Sequence, residues 1–166
     1  MRLLNLETLE LRECTQLDRP RYVILSHTWE AEEVSLEQSY QPNVAAKAGY
    51  IKILNFCREG AKNGFDWGCV DTFCIRKTSS AELSEAINSM YKGYKESDSC
   101  YAILSHVSSP EADRWQFSES PWYRRGWTLQ ALIAPKHLMF YFRNWTMYET
   151  KDKLWEEMSK VPVSPR

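Results

Sequence analysis

Short apolar runs alternate with longer amphipathic stretches along this chain. Residues 2–14, "RLLNLETLELREC", hold two brief runs either side of Glu7-Thr8, which predicts an N-terminal hairpin or an extended edge segment. "RYVILSHTW" (21–29) is a compact β-branched and aromatic run between Pro20 and acidic residues. It predicts a buried strand that ends on Ser26, His27, Thr28 and Trp29. "AAKAGYIKILNFCREGAKNG" then spaces Tyr50, Ile53, Leu54, Cys57 and Ala61 along one helical face, and Asn63-Gly64 supplies a stop. "FDWGCVDTFCI" (65–75) predicts a second buried strand, followed by a polar loop. Ser79 and Glu82 fit a capping box for a helix from Ala81 to about Glu96, with Leu83, Ile87, Met90 and Tyr94 in one stripe.

A third strand is expected in "SCYAILSHV" (99–107) and a fourth in "HLMFYF" (137–142), with the second half of "NWTMYETKDKLWEEMSKV" helical. Between them lies "SPWYRRGWTLQALIAP" (120–135). Ser120 is placed to cap and Pro121 is suited to a first helical position. This helix carries Arg124, Arg125, Trp122, Trp127 and Gln130, yet one turn beyond Trp127 on the same face stands Ala131, a bare methyl. The alternation predicts an α/β fold: a mainly parallel sheet with right-handed crossovers and helices on both faces. No repeat or linker divides the chain, so residues 1–166 read as a single domain.

Ligand sites in such sheets lie beyond the carboxyl ends of the strands. That rule gathers Ser26, His27, Thr28 and Trp29, then Asp71 and Thr72, His106, and the start of the 120–135 helix. His27 is suited to acid/base work or phosphate binding, or to a hydrogen bond with its own loop. Asp71 is costly to bury unless paired, functional or capping a loop. Trp29 offers a stacking surface or loop packing. Arg124 and Arg125 suit a diphosphate, or a solvated face paired with Glu82 or Glu85.

Composition narrows the choice. The 21 basic and 22 acidic side chains leave a net charge of −1, so no basic excess marks a duplex nucleic-acid binder. The apolar runs are strand-length, far short of the roughly 20 residues that span a bilayer, and the N-terminus lacks a secretory pattern. A cytoplasmic location without nucleic-acid or membrane partners is the expectation. Five cysteines at irregular spacing argue against a disulfide framework, and without a C-x-x-C pair no metal site is expected. Neither G-x-G-x-x-G nor a P-loop occurs.

Three ordered stretches carry a family resemblance: "YVILSHTWEAEEV" (22–34), "WGCVDTFCIRKTSSAELSEAINSMYKGYKESDSCYAIL" (67–104) and "WYRRGWTLQALIAP" (122–135). They resemble the signature blocks of the HET (heterokaryon incompatibility) domain of filamentous fungi, and "MRLLNLETLEL" and "MFYFRNW" fit its start and end. The resemblance implies a role in programmed cell death and a distant likeness to TIR domains, hence a TIR/flavodoxin-like sheet. It implies the N-terminal domain of a longer protein, self-association, and cleavage of NAD at the nicotinamide–ribose bond, with NAD as substrate and no cofactor.

Under that resemblance Ser26, His27, Thr28, Trp29, Asp71, Thr72, Arg125 and Trp127 line the cleft. The family pattern R-G-W-T-L-Q-E-L places its catalytic Glu where this chain has Ala131. A carboxylate there would stabilise positive charge building on the ribose, and its loss costs on the order of 10²–10³ in rate. The resemblance thus implies an NAD nucleosidase left close to inactive by an engineered Glu→Ala change or by natural loss. Arg76 and His106 also depart from the pattern, which has Asp at both places. The competing reading is a non-catalytic homotypic assembly scaffold.

Overall fold

The computed structural model describes residues 1–35, 37–75, 80–108, 120–124 and 126–159, with backbone alone at 80–83, 85–87, 124, 126–127 and 157–159. Among the described residues seven strands form one sheet: β1 (Arg2–Asn5), β2 (Leu11–Glu13), β3 (Val23–Ser26), β4 (Trp67–Cys69), β5 (Ser99–Leu104), β6 (Leu138–Phe142) and β7 (Met147–Thr150). Their order is β2-β1-β4-β3-β5-β6-β7. The four central strands are parallel, and β1–β2 and β7 close the two edges antiparallel. This is the mainly parallel α/β sheet with an N-terminal edge hairpin that the alternation predicts.

β3 is bonded on both edges, Val23 opposite Gly68 on one side and Ser26 opposite Ala102 on the other. That explains why "VILS" and "SCYAIL" are buried at every position rather than at alternate ones. Neighbouring β3 residues meet different helices. Helix α1 (Ala48–Lys62) brings Gly60 against Val23, whereas α3 (Ser80–Glu96) brings Gly93 within reach of Ile24. Successive strand side chains point to opposite faces, so the two helices cover opposite faces of the sheet. The chain leaves β3 for β4 on one side and returns to β5 on the other, which makes the carboxyl ends of β3 and β5 the switch point.

Helix α1 ends as its sequence predicts. Phe65 N–H bonds Gly60 O and Gly64 N–H bonds Ala61 O, with Gly64 at φ 81°, a Schellman closure that favours glycine. Its buried face differs from the predicted stripe: Gly49, Lys52, Ile53, Phe56, Cys57 and Gly60 point inward, and Ala61 is exposed. The expected strand over 65–75 is also shorter. β4 stops at Cys69, and Asp71–Cys74 form a single helical turn, α2, whose Cys74 N–H bonds Val70 O at 2.7 Å.

The 120–135 segment is two pieces, a 3₁₀ turn (Pro121–Arg124) and α4 (Gly126–Ile133). Ser120 caps the first piece as expected, accepting from Trp122 N–H at 3.4 Å and, through its carbonyl, from Tyr123 N–H at 3.0 Å. α5 (Lys151–Ser159) supplies the expected C-terminal helix. β7, paired with β6 across a bulge at Phe140/Tyr141, was not foreseen. The proposed capping box at Ser79 and the side chains of Leu83 and Ile87 lie outside the described residues.

Candidate functional site

The carboxyl end of β3 runs directly into a buried charged cluster. Ser26, His27 and Thr28 are all buried, and Trp29 is half-exposed. Asp71 opens the α2 turn beyond the end of the adjacent β4, so the break from strand to helix aims its carboxylate across the sheet edge. Its Oδ1 lies 2.9 Å from His27 Nε2 and accepts from Thr72 N–H at 2.7 Å, while Oδ2 accepts from the Trp29 indole N–H at 3.0 Å. Four of the predicted residues therefore meet at one carboxylate.

Sequence reasoning missed two members. Glu33, in the loop after β3, places Oε1 3.5 Å from His27 Nδ1, and Lys52 of α1 pairs with that same carboxylate. Lys52 also donates to Thr28 O at 3.4 Å. A lysine between Ile51 and Ile53 on an apolar helix was the available signal. Burial disfavours charge on His27, but its contacts with Asp71 and Glu33 outweigh that and raise its pKa. Burial likewise opposes ionisation of Glu33, yet His27 and Lys52 hold its carboxyl down at about 2. For Asp71, burial is outweighed by His27, the Trp29 indole N–H and the Thr72 N–H, and its pKa is lowered.

Buried polar atoms without a hydrogen-bond partner among the described residues gather here, namely Thr28 Oγ1, Glu33 Oε2 and Thr72 Oγ1, while His27 Nδ1 has only the long 3.5 Å approach to Glu33 Oε1. Such atoms are rare in folded proteins, and a cluster of them marks strain or a place for a ligand. Asp71 also reaches the wall of a cavity of about 780 Å³ between α3 and the N-terminal hairpin, whose floor includes Ile24, Cys69 and Cys74. That volume lies in the range of small-molecule sites. Ser26 serves the frame, its Oγ accepting from the buried Trp122 indole N–H at 3.0 Å.

The remaining predicted residues are less closely tied to this corner. Ala131 is wholly buried on α4, and His106 is exposed in the turn after β5. Arg125 and the side chain of Trp127 lie outside the described residues. Among the described residues, no group of His, Cys, Asp or Glu is arranged to hold a metal, and no helix is long and apolar enough to cross a membrane. The five cysteines are buried and unpaired.

The model of the heterokaryon incompatibility protein (HET) family matches residues 22–117, a span that contains His27, Glu33, Lys52 and Asp71. The vegetative incompatibility protein HET-E-1 of Podospora anserina is 43% identical over 134 residues, covering 75% of this chain and 10% of that protein. The chain thus spans about a tenth of the length of that curated relative. No solved structure matches it. Matched over more than half its length by the family model, the chain belongs to the heterokaryon incompatibility (HET) family.

Proposed function

We propose that this domain is the effector part of an incompatibility-triggered cell-death protein, of the type that cleaves NAD at the nicotinamide–ribose bond, and that Ala131 leaves it close to inactive. The observation that carries the reading is the buried cluster at the carboxyl ends of β3 and β4. His27, Asp71 and Trp29 are locked together there beside a cavity, with unpartnered polar atoms around them. In this reading Trp29 and Trp127 stack on the rings of NAD. Ser26, Thr28, Thr72 and Arg125 contribute polar groups toward ribose and phosphate, and His27 and Asp71 set the charge of the cleft. Glycosidic cleavage builds positive charge on the ribose, and a carboxylate introduced at position 131 would face that charge.

A second reading, a self-associating scaffold without chemistry, is favoured by α4 itself. Ala131 is fully packed, while Leu129 and Ile133, four residues apart, are exposed on that helix as an apolar pair. The test measures nicotinamide released from NAD by this chain and by Ala131→Glu, at low and high protein concentration. Release by Ala131→Glu alone is expected. Silence from both, in protein shown to be folded and assembled, overturns the enzymatic reading and leaves the scaffold.

A further inference from the structure

Both ring nitrogens of His27 face carboxylates: Asp71 Oδ1 at 2.9 Å from Nε2 and Glu33 Oε1 at 3.5 Å from Nδ1. A neutral imidazole carries one N–H and can serve only one of them, whereas an imidazolium can donate toward both. The Glu33 carboxylate is itself fixed, because Oε1 also accepts from Glu30 N–H at 3.1 Å and pairs with Lys52. The loop that carries it is tied to α1, since Glu32 O accepts from Gly49 N–H at 3.1 Å and Glu32 Oε2 from Ala48 N–H at 3.1 Å. Burying Lys52 is costly unless its charge is answered, and Glu33 answers it.

We propose that Glu33 and Lys52 are positioning residues for His27, a buried ion pair that fixes the ring's orientation and protonation where it meets Asp71. Glu33 draws the proton onto the ring, and Lys52 moderates the pull by competing for the same carboxylate oxygen. The charged groups facing His27 among the described residues are Asp71 from α2, Glu33 from the loop and Lys52 from α1. From α3, Tyr94 stands near Asp71, its phenol kept neutral by burial. Removing either partner of the pair therefore perturbs His27 in opposite senses, which a merely structural role would not do. The effect on turnover rests on the NAD-cleavage reading; the effect on the ring does not.

The experiment is a pH titration of the intact chain labelled with ¹⁵N-histidine. Three histidines make the spectrum assignable, and His106 and His137 are both exposed. In the unmodified chain His27 should stay doubly protonated above pH 6.5, the ordinary imidazole value. Glu33→Gln should lower its midpoint, Lys52→Met should raise it, and Glu33→Asp should restore most of the native behaviour. Lys52→Gln, which can still donate to the Thr28 carbonyl, should raise it likewise if Lys52→Met does not fold.

Shifts of the same sign, or no shift, in folded variants overturn the proposal. So does an unmodified His27 that titrates at or below the ordinary imidazole value of 6.5, which needs no variant at all. In an Ala131→Glu background the pH profile of nicotinamide release should follow the His27 midpoint, with kcat changed and KM held. Absence of release there defeats the NAD reading while the titration still judges the positioning role.

Discussion

Gly49 sits where α1 meets the loop that carries Glu33, and replacing it with alanine tests that junction directly. A Cβ at this position would stand 2.4 Å from Glu32 O, 2.8 Å from Glu33 Cα and 3.0 Å from Val34 N. All three are backbone atoms, so no side-chain rotation relieves the contact. Ordinary contact requires the loop or the helix end to retreat by about 1 Å. That movement stretches the Gly49 N–H bond to Glu32 O and drags Glu33 from its place between Lys52 and His27.

Overpacking of this kind costs about 1–3 kcal/mol, and backbone-on-backbone crowding belongs at the upper end. Alanine's helix preference over glycine returns less than about 1 kcal/mol. The net expectation is a loss of about 2 kcal/mol, which for a chain of this size lowers Tm by about 4–8 °C. Gly93→Ala is the control. Its nearest neighbour, Ile24 Cδ1, would lie at 4.0 Å, an ordinary contact, so the helix preference should appear as a gain of about 0.5–1 kcal/mol. Urea denaturation of both variants, compared at unchanged m-value, reads the two numbers. A Gly49→Ala protein as stable as the parent would refute the claim that this junction is closed.

Stability should peak between about pH 4.5 and 6.5. His27, with its folded pKa raised above 6.5, contributes fully below that value and loses its share as pH climbs through the folded pKa. Glu33, held at about 2 against an ordinary 4.5, contributes above 4.5 and loses its share as pH falls. Urea midpoints at pH 3, 5.5 and 8 check this, with the last kept below the ordinary thiol value of 9.0, because Cys57, pushed up to about 12 by burial in the fold, ionises near 9.0 once unfolded. His27→Gln should flatten the alkaline limb. Ser26→Ala should cost about 1–3 kcal/mol in the same assay, because it strands the buried Trp122 indole N–H. Native protein should react slowly with iodoacetamide at all five buried cysteines and quickly once unfolded, as mass spectrometry of the labelled chain would count.

Much of the frame was legible because local chemistry already specified it. The uninterrupted "VILS" and "YAIL" runs suit strands bonded on both edges, and Asn63-Gly64 closes α1 with the one residue that adopts φ 81° without strain. Their alternation with helices placed Ser26, His27, Thr28, Asp71 and Thr72 near one edge of the sheet. β7 was not legible. "MYET" is an exposed-to-intermediate edge strand without a clean two-residue period, and it forms because Trp145 takes a positive φ of 63° and turns the chain back onto β6. Asp71 reads as the end of a strand because the apolar residues of "WGCV" run straight up to it and "FC" follows close behind. The strand ends at Cys69 and the turn that follows aims the carboxylate at His27.

Apolar periodicity sufficed for the α/β class and for the order of the central strands and their helices, since these depend on neighbours a few residues apart. The charge arrangement did not follow from it. On α1, hydropathy alone would bury Ile51 and expose Lys52, yet Ile51 is exposed and Lys52 is buried. The inversion is stable because Glu33, nineteen residues away, supplies the countercharge that a buried ammonium requires. A partner at that separation becomes a neighbour only when the sheet is assembled, so the cluster around His27 belongs to the fold rather than to any stretch of the chain.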